Sequence, residues 1–435
     1  MSGELLLAAA FLVILLALYL LGVHVAFAIG ISSVVIMLLP FGPGFNVQVV
    51  AQRFYTGLNS FILIAVPFFL LAGRIMNEVG MTEDIFDFAE ELVGPVPGGL
   101  GHVNVVVSMI FSGMSGSAVA DAAGLGVIEY RSMVDRGYDE NFAAGITGAS
   151  STIGPIIPPS IPIIVYGVLA NVSIGALFIA GVIPGLLMGL SLMATVLVLS
   201  FRGEEVGSVR SYNASRLGRT FLRSIPALVT PVIIVGGILT GMFTPTEAAI
   251  VATIYALIIG FVYYRSLSLS MLYETTRKTF LDTAVLLFII GIANLYGYLL
   301  VLSGVPGLLA DQLLTLSSDP TVVVLILAVI FLLLGTFMET LAIITVMVPI
   351  LIPIFPDLGI NPLSFGIVMM VVLMIGIVTP PFGIALFSLE RVTDRELEDI
   401  VRGVAPFYVP LVFIVLLLIF VPDLILALPR SFGLY

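Results

Sequence analysis

The 435-residue sequence contains no cysteine, only two histidines and a single lysine. Without cysteine the chain has no disulfide, no thiolate nucleophile and no cysteine-ligated metal. Two histidines are too few for a histidine-based metal centre. Charged residues make up 10% of the chain and hydrophobic residues 60%, whereas a soluble domain is about half apolar and about a quarter charged. The composition therefore excludes an ordinary water-soluble domain and indicates a protein surrounded mostly by lipid.

Apolar runs close to the ~20 residues of a membrane-spanning helix recur along the whole chain. The first run has no basic residue before it and no small-residue cleavage site after it, so we expect it to remain as a helix rather than be removed as a signal peptide. The sequence predicts an all-α polytopic membrane protein. Its predicted spans lie near residues 5–23, 24–40, 60–78, 139–170, 173–201, 225–242, 246–264, 281–302, 361–390 and 404–427.

Two further apolar stretches, 99–134 and 320–355, are predicted to be re-entrant hairpins that enter and leave the membrane on one side. With this assignment only Arg53 and Arg430 of the 16 basic residues fall on one face, and all others fall on the opposite face. An excess of arginine and lysine marks the cytoplasmic side of a membrane protein. We therefore expect both termini to face the periplasm.

Glycine and proline positions repeat along the chain with a constant offset of 222 residues. Gly113, Gly154, Pro158 and Pro159 reappear as Gly335, Gly376, Pro380 and Pro381. We predict one membrane domain, 1–435, made of inverted repeats at about 60–201 and 281–427, with arm and scaffold helices at 202–280 between them. Each repeat pairs a hairpin with a broken transmembrane helix, at 139–170 and at 361–390. Inverted repeats with broken helices are typical of secondary transporters.

Small and polar residues at 112–117 (SGMSGS) and 335–340 (GTFMET) predict that each hairpin breaks at its tip, in mid-membrane. The double prolines leave carbonyl groups without helical partners, and such groups must be satisfied or must line a cavity. Because Na⁺ is bound by oxygen atoms, we predict two cation sites where a tip meets a break. Site 1 comprises Ser112, Gly113, Ser115, Gly154, Ile157 and Pro159, and site 2 comprises Gly335, Gly376, Thr379 and Pro381.

The substrate is expected between the two cation sites, where helix N-termini favour an anion. Acidic residues inside a membrane are candidate functional residues by default. Asp121 lies four residues after Ser117, on the same helix face, although a helix-stabilising role remains open. For Glu339 the alternative is a carboxylate in a water-filled vestibule. The candidate substrate-binding residues are Ser117, Asp121, Ser160, Glu339 and Thr340.

Acidic clusters at 83–91 and 394–399 are interspersed with apolar residues at helical spacing, which predicts solvated faces of short interfacial helices. Thr393 and Glu396 form a capping-box pattern that would start the second of these helices. The basic stretch 209–224 suits anionic lipid headgroups. Thr244 and Glu247 form another capping box, which gives Glu247 a structural role. Arg74 and Asp282 lie near span ends, where snorkelling explains them.

Two other functional classes are weaker. Residues 113–116 spell G-x-S-G, as in intramembrane serine proteases of the rhomboid type. That chemistry needs a histidine base, and in that family the base comes from a later span, but no histidine follows His102. An open channel would not need inverted hairpins with paired cation sites. We therefore expect a transporter and not an enzyme.

Three motifs together resemble the large membrane subunit of tripartite ATP-independent periplasmic (TRAP) transporters. They are residues 111–121 (FSGMSGSAVAD), 154–160 (GPIIPPS) and 379–383 (TPPFG), and the resemblance covers essentially the whole chain. It implies an elevator-type carrier in the inner membrane that imports an organic anion on a Na⁺ gradient. The anion is typically a carboxylate such as a C4-dicarboxylate or sialic acid, and no cofactor beyond the coupling ion is implied.

The same resemblance implies two protein partners. A periplasmic binding protein delivers the substrate, and a small membrane subunit of about four spans completes the scaffold. Since no such four-span segment is found within this sequence, we expect the small subunit to be a separate chain. Proton coupling through Asp121 or Glu339, or a carrier that works alone, remain the alternatives.

Overall fold

The structure, a computed structural model, describes residues 3–39, 42, 44–115, 118, 125–203 and 212–435. All regular secondary structure in these ranges is helical. The principal helices are α1 (Gly3–Leu20), α2 (Val25–Leu38), α3 (Val47–Leu58), α4 (Ala65–Glu78), α5 (Met81–Val93), α6 (Gly99–Ser115), α7 (Gly126–Val134), α8 (Glu140–Ser151), α9 (Ile161–Ala170), α10 (Ile174–Phe201), α11 (Ala214–Pro231), α12 (Pro245–Ile258), α13 (Leu269–Leu302), α14 (Val305–Leu316), α15 (Pro320–Phe337), α16 (Thr340–Leu351), α17 (Pro362–Gly376), α18 (Ile384–Thr393), α19 (Leu397–Phe420) and α20 (Asp423–Ser431).

Eight helical segments within the described residues are long and apolar enough to cross a membrane. Six of them overlap predicted spans, and the other two are the predicted legs of the second hairpin. Their bounds are Phe61–Glu78, Ile174–Phe201, Ala214–Leu239, Pro245–Tyr264, Leu269–Leu302, Pro320–Phe337, Thr340–Leu358 and Leu397–Phe420. The chain is therefore a multi-pass membrane protein with an all-helical fold.

The order of helices repeats along the chain. Helices α8, α9 and α10 begin 222, 223 and 223 residues before α17, α18 and α19, respectively. Helices α5 and α6 likewise begin 224 and 221 residues before α14 and α15. The offset that relates the glycine and proline motifs thus relates whole helices as well.

Both double prolines interrupt a helix. Residues 152–160 separate α8 from α9, and residues 377–383 separate α17 from α18. The peptide bond between the two prolines is cis in both interruptions, at Pro158-Pro159 and at Pro380-Pro381. The two repeats therefore share one backbone feature at corresponding positions.

Each predicted tip begins inside a helix. The second tip, 335–340, does contain a helix break, and that break is confined to two residues. Helix α15 continues through Gly335 to Phe337, and only Met338 and Glu339 are extended before α16 begins. Helix α6 likewise continues through Ser112 to Ser115. Gly335 serves close packing rather than a break, because it lies against the backbone of Gly376. Its missing side chain therefore brings two helices together while its backbone stays helical.

The acidic cluster at 83–91 is less solvated than the sequence indicates. Helix α5 packs against α11, and Asp84 is 2% exposed. Its carboxylate lies 2.7 Å from Nε of Arg223 and accepts a 2.5 Å hydrogen bond from the Tyr264 hydroxyl. Glu90 is also buried, and it pairs with Arg136. The prediction of a solvated acidic face is confirmed for Glu83 and Asp87, which are exposed. It is wrong for Asp84 and Glu90, because arginines from other parts of the chain pair with them.

The two predicted capping boxes have opposite outcomes. Thr244 and Glu247 form theirs at the start of α12, as predicted. Thr393 is instead the last residue of α18, and its hydroxyl donates to the Leu389 carbonyl. Helix α19 begins at Leu397 without a side-chain cap and runs on to Phe420, so 394–399 precedes and begins a long helix rather than forming a separate interfacial one.

Arg74 and Asp282 form an ion pair that joins α4 to α13. The pair adds a direct partner to the predicted snorkelling, since both side chains remain partly exposed. Since a charge near lipid is costly when isolated, each residue is the partner of the other.

Candidate functional site

The second repeat brings predicted site residues from two separate elements into backbone contact. A Cβ built on Gly376 would lie 2.8 Å from the Gly335 Cα and 2.9 Å from its carbonyl carbon. A Cβ built on Gly335 would lie 3.1 Å from the Gly376 Cα. Helices α15 and α17 therefore meet at these glycines, and any side chain there would push them apart.

Hydrogen bonds from three different elements hold the interruption between α17 and α18. The Gly383 N–H donates to the Thr336 carbonyl over 3.0 Å, which ties the interruption to the end of α15. The Ala385 N–H donates to the Ile377 carbonyl over 3.0 Å, across the interruption itself. The Tyr408 hydroxyl of α19 donates to the Val378 carbonyl over 2.6 Å. The broken segment is thus fixed by its surroundings.

The end of α15 leaves one carbonyl oxygen available at this contact. The last carbonyl groups of a helix have no N–H donor within that helix. Here the Thr336 carbonyl accepts from the Gly383 N–H, and the Phe337 carbonyl accepts a 2.9 Å bond from the Tyr19 hydroxyl. No donor among the described residues contacts the Gly335 carbonyl oxygen. An oxygen in this position, beside the broken helix, is a suitable cation ligand.

The Thr379 side chain, predicted as a ligand of site 2, is half-buried in the interruption. Its hydroxyl donates a 2.6 Å hydrogen bond to the Ile375 carbonyl. A hydroxyl donates one hydrogen bond and retains two acceptor lone pairs. The bond to Ile375 therefore fixes the orientation of the oxygen and still allows that oxygen to bind a cation. Pro381, also predicted for site 2, lies exposed in the same segment.

The first interruption packs tightly on α10. A Cβ built on Gly181 would lie 2.3 Å from the Ile156 carbonyl oxygen, and one built on Gly185 would lie 2.4 Å from Cγ1 of Ile157. Pro159 and Gly154, predicted for site 1, are buried in this segment. The glycines of α10 therefore form the surface that receives the interruption.

Ser160, predicted to bind substrate, already has two local hydrogen-bond partners. Its hydroxyl donates a 2.5 Å bond to the Pro155 carbonyl and accepts a 3.3 Å bond from the Ile163 N–H. The residue is completely buried and caps the start of α9. In the described structure Ser160 therefore joins the first interruption to the start of α9 through these two hydrogen bonds.

Hairpin residues of the first repeat are described only in part. Ser112 is completely buried, and its hydroxyl donates to the Ser108 carbonyl within α6. Gly113 and Ser115 belong to the last turn of α6. Ser117 and Asp121 lie outside the described residues. The proposed contact between the first tip and the first interruption therefore stays a prediction.

A buried polar network joins α6 to α8, and the sequence analysis did not identify it. The Asn104 amide donates to the Thr147 hydroxyl over 2.8 Å and accepts from the Ser150 hydroxyl over 2.6 Å. The Ser108 hydroxyl donates to that of Ser150 over 3.1 Å. The available signal was the four-residue spacing of Asn104, Ser108 and Ser112, which places one polar stripe on an apolar helix. The network holds α6 beside the helix that leads into the first interruption.

Glu339 and Thr340 mark the start of α16, beside the second interruption. Glu339 precedes the helix without capping it, and its carboxylate interacts electrostatically with His24, in the connection between α1 and α2. Thr340 is buried as the first helical residue. The Tyr19 contact with Phe337 approaches the same turn from α1. The end of the second hairpin is thus in contact with the first helices of the chain.

Comparisons with known proteins place this geometry in a family. The family model described as "Tripartite ATP-independent periplasmic transporter, DctM component" matches residues 12–424. The sialic acid TRAP transporter large permease protein SiaM of Vibrio cholerae is 44% identical over 414 residues, which cover 94% of this chain and 96% of that protein. The C4-dicarboxylate TRAP transporter large permease protein DctM of Pseudomonas aeruginosa is 36% identical, covering 93% and 94%.

Among solved structures, the Alcanivorax borkumensis YdaH transporter matches with a TM-score of 0.59 and 15% identity, over 95% of this chain and 98% of that one. At this identity the likeness concerns the fold alone. The relatives are permease subunits of transporters rather than enzymes. By the family match across nearly its whole length, the chain belongs to the DctM component family of tripartite ATP-independent periplasmic transporters.

Proposed function

We propose that this chain is the carrier subunit of a Na⁺-coupled importer of an organic anion. Coupling requires a cation site that forms together with the substrate site. The observation that carries the proposal is the contact of Gly335 with Gly376, because it places an available carbonyl oxygen of α15 beside the interruption that contains Thr379. Backbone and hydroxyl oxygens are the ligands that a hard cation takes.

Two helix starts beside the same contact support an anionic substrate. The Gly383 N–H bond to Thr336 places the start of α18 next to the end of α15, and α16 begins three residues after Phe337. Helix N-termini carry unsatisfied N–H groups and partial positive charge. A cation held by α15 and the interruption, together with these helix starts, would balance a carboxylate bound between them. The named substrates of both relatives, sialic acid and C4-dicarboxylates, are carboxylates.

The transport mechanism follows from the resemblance to the family. The proposed carrier moves its binding site across the membrane in an elevator motion, with the two repeats inverted and both termini in the periplasm. A small four-span subunit, supplied as a separate chain, completes the scaffold. A periplasmic binding protein delivers the anion. The family description names a tripartite periplasmic system, which supports this set of partners.

The proposal is tested by reconstituting the chain in liposomes with a small subunit and a binding protein encoded beside it. Uptake of the anion should require all three proteins and an inward Na⁺ gradient. It should stop when K⁺ replaces Na⁺, and a proton ionophore should leave it unchanged. Uptake of free anion by this chain alone would identify a one-component carrier instead. Uptake that follows the proton gradient without Na⁺ would transfer the coupling role to a carboxylate such as Glu339.

A further inference from the structure

A cavity of about 610 Å³ lies away from both interruptions. Its walls come from α3 and the segment that follows it, from the end of α9 and its connection to α10, and from α13 and α16. It contains none of the residues predicted for the cation or substrate sites. Its volume falls within the range of about 300–1,000 Å³ that small-molecule sites occupy. The cavity is thus a separate place where a ligand of moderate size fits.

Arg53 supplies the cavity with its single positive charge. No acidic residue is among the residues that line it, and Arg53 has no ion pair within the described part of the chain. The guanidinium carbon lies 3.8 Å from the centroid of the Tyr298 ring. Stacking on an aromatic face leaves the in-plane N–H donors of an arginine free. The geometry therefore presents a bidentate donor for which the described residues supply no acceptor.

The other partly buried arginines of the described chain are paired with carboxylates, unlike Arg53. Arg74 and Arg395 are also partly buried, and each is paired with a carboxylate. Arg395, for example, lies 2.9 Å from a Glu140 oxygen. A planar guanidinium recognises a carboxylate by two parallel hydrogen bonds. The acceptor that Arg53 lacks within the described chain is therefore of the kind that an organic acid provides.

The remaining polar groups of the cavity are neutral. They include the hydroxyls of Thr56, Ser60 and Ser173 and the amides of Asn171 and Asn294. Hydroxyls and amides both donate and accept hydrogen bonds. They suit a ligand with several hydroxyl groups. A second carboxylate would find no second cation among the lining residues, and an unpaired buried charge is strongly disfavoured.

The wall that carries Arg53 is rigidly packed. A Cβ built on Gly57 would lie 2.7 Å from Cβ of Asn294, and one built on Gly291 would lie 2.7 Å from Cε2 of Phe54. Helices α3 and α13 therefore approach each other closely in the turn that follows Arg53. The opposite wall belongs to the first interrupted helix and to α16, which flank the proposed transport site. A ligand here would lie between these two groups of helices.

We propose that this cavity is a docking site for a hydroxylated monocarboxylate, with Arg53 binding the carboxylate and the neutral lining groups binding the hydroxyls. The inference rests on the proposed function, because it takes the transported anion as the occupant. It narrows the substrate class: a sugar acid is favoured over a dicarboxylate. In the predicted topology Arg53 lies on the periplasmic side, so the anion would occupy this site before it reaches the second interruption.

The absence of native cysteine allows a direct binding test. Ile62→Cys introduces one thiol at the cavity wall, at an apolar lining side chain that takes no part in the proposed hydrogen bonding. The variant, purified without a binding protein, is labelled with a water-soluble maleimide in the presence of N-acetylneuraminate, gluconate or succinate. At roughly ten times its dissociation constant a ligand should slow labelling about tenfold, because only the free fraction reacts. We expect protection by the first two anions and none by succinate.

Charge variants in the Ile62→Cys background test whether Arg53 is the group that binds the anion. Arg53→Gln should weaken protection roughly ten- to a hundredfold in ligand concentration, because a charge-assisted pair is lost. Arg53→Lys should restore part of it, since lysine keeps the charge but not the bidentate geometry. Arg430→Gln is the matched control. Arg430 is the other basic residue of the predicted periplasmic face and is paired with Asp423 outside the cavity, so protection should not change.

Several results would overturn the inference. Equal protection by succinate would contradict the single-charge argument, and unchanged protection in Arg53→Gln would remove the role of Arg53. Protection that appears only after a binding protein is added would make the cavity part of a protein docking surface. Uptake measured in parallel separates the two proposals. Normal Na⁺-driven uptake without protection of the thiol would contradict the docking site alone. The absence of Na⁺-driven uptake would contradict the proposed function.

Discussion

Replacing Gly376 by alanine adds one methyl group where α17 meets α15. The built Cβ would lie 2.8 Å from the Gly335 Cα and 2.9 Å from its carbonyl carbon. Carbon atoms in contact are normally about 3.5–4.0 Å apart. Because the obstacle is backbone, no rotamer change relieves the overlap. The end of α15 must therefore move away from the interruption, and the Gly335 carbonyl oxygen moves with it.

The size of the effect follows from this displacement. Extra methyl groups in a well-packed interior cost about 1–3 kcal/mol, which corresponds to roughly a 5- to 150-fold change in an equilibrium constant. If the cation is bound between these backbones, its binding must restore the close contact. We expect the half-saturating Na⁺ concentration to rise by a factor in this range, with uptake recovering at high Na⁺. The assay is Na⁺-dependent uptake in the three-component liposomes, with thermal unfolding of the purified chain measured in parallel.

Two other glycines make the comparison quantitative. A Cβ on Gly335 would lie 3.1 Å from the nearest atom, a milder overlap, so Gly335→Ala should raise half-saturating Na⁺ less. A Cβ on Gly307, in α14, meets nothing within 4 Å, so Gly307→Ala should behave as wild type. The reasoning fails if Gly376→Ala keeps the wild-type Na⁺ dependence while its unfolding temperature is normal. It also fails if Gly307→Ala is as impaired as Gly376→Ala.

Three further predictions test the site, the topology and the buried network. Thr379→Ala should raise half-saturating Na⁺ roughly ten- to a hundredfold through loss of one hydroxyl ligand, and Thr379→Ser should not; identical Na⁺ dependence in Thr379→Ala and wild type would misplace the ligand. The thiol of Ser215→Cys should react only from the cytoplasmic side of sealed right-side-out vesicles, and labelling from outside would refute the predicted topology. Asn104→Leu should destabilise the protein by about 1–2 kcal/mol, because the hydroxyls of Thr147 and Ser150 lose a buried hydrogen-bond partner. An unchanged unfolding temperature would show that the network is dispensable.

The long helices and both interruptions were predictable because the signals behind them are local. Apolar runs of sufficient length specify spans, and a double proline stops a helix whatever surrounds it. The constant offset between Pro158 and Pro380 and between Gly154 and Gly376 was readable as a repeat. The capping box at Thr244 was predictable for the same reason, since all of its atoms come from four consecutive residues.

The errors arose where a distant partner decides the outcome. Gly335 has the composition of a helix break, but contact with Gly376 explains its lack of a side chain, and the helix continues past it. Asp84 looked solvated because its partner Arg223 is far away in the sequence. Thr393 satisfied a local capping pattern, yet its hydroxyl bonds back to Leu389 at the end of the preceding helix. Such contacts depend on how helices pack, which periodicity alone does not encode.

The two interruptions differ in which partner carries the large side chain where the interruption packs on the neighbouring helix. In the first, Ile157 projects onto Gly185 of α10, so the interruption supplies the bulk and the helix supplies the gap. By the offset of 222, Thr379 in the second repeat is equivalent to Ile157 in the first. By the offset of 223 between α10 and α19, Tyr408 is equivalent to Gly185. In the second repeat the helix therefore supplies the bulk, and the Tyr408 hydroxyl holds the Val378 carbonyl.

This exchange of large and small side chains between interruption and helix explains why the two predicted cation sites should differ. With Tyr408 filling the space, position 379 can be small and polar, and in the proposed site its hydroxyl oxygen binds the cation together with the Gly335 carbonyl oxygen. Ile157 offers no such oxygen, and Ser160 is already engaged in capping α9. At the interruption, the first site would then rely on backbone carbonyls, whereas the second has one additional side-chain ligand there. Two sites with unequal oxygen sets should bind Na⁺ with unequal affinities, and only in the second can a side-chain substitution within the interruption remove a ligand.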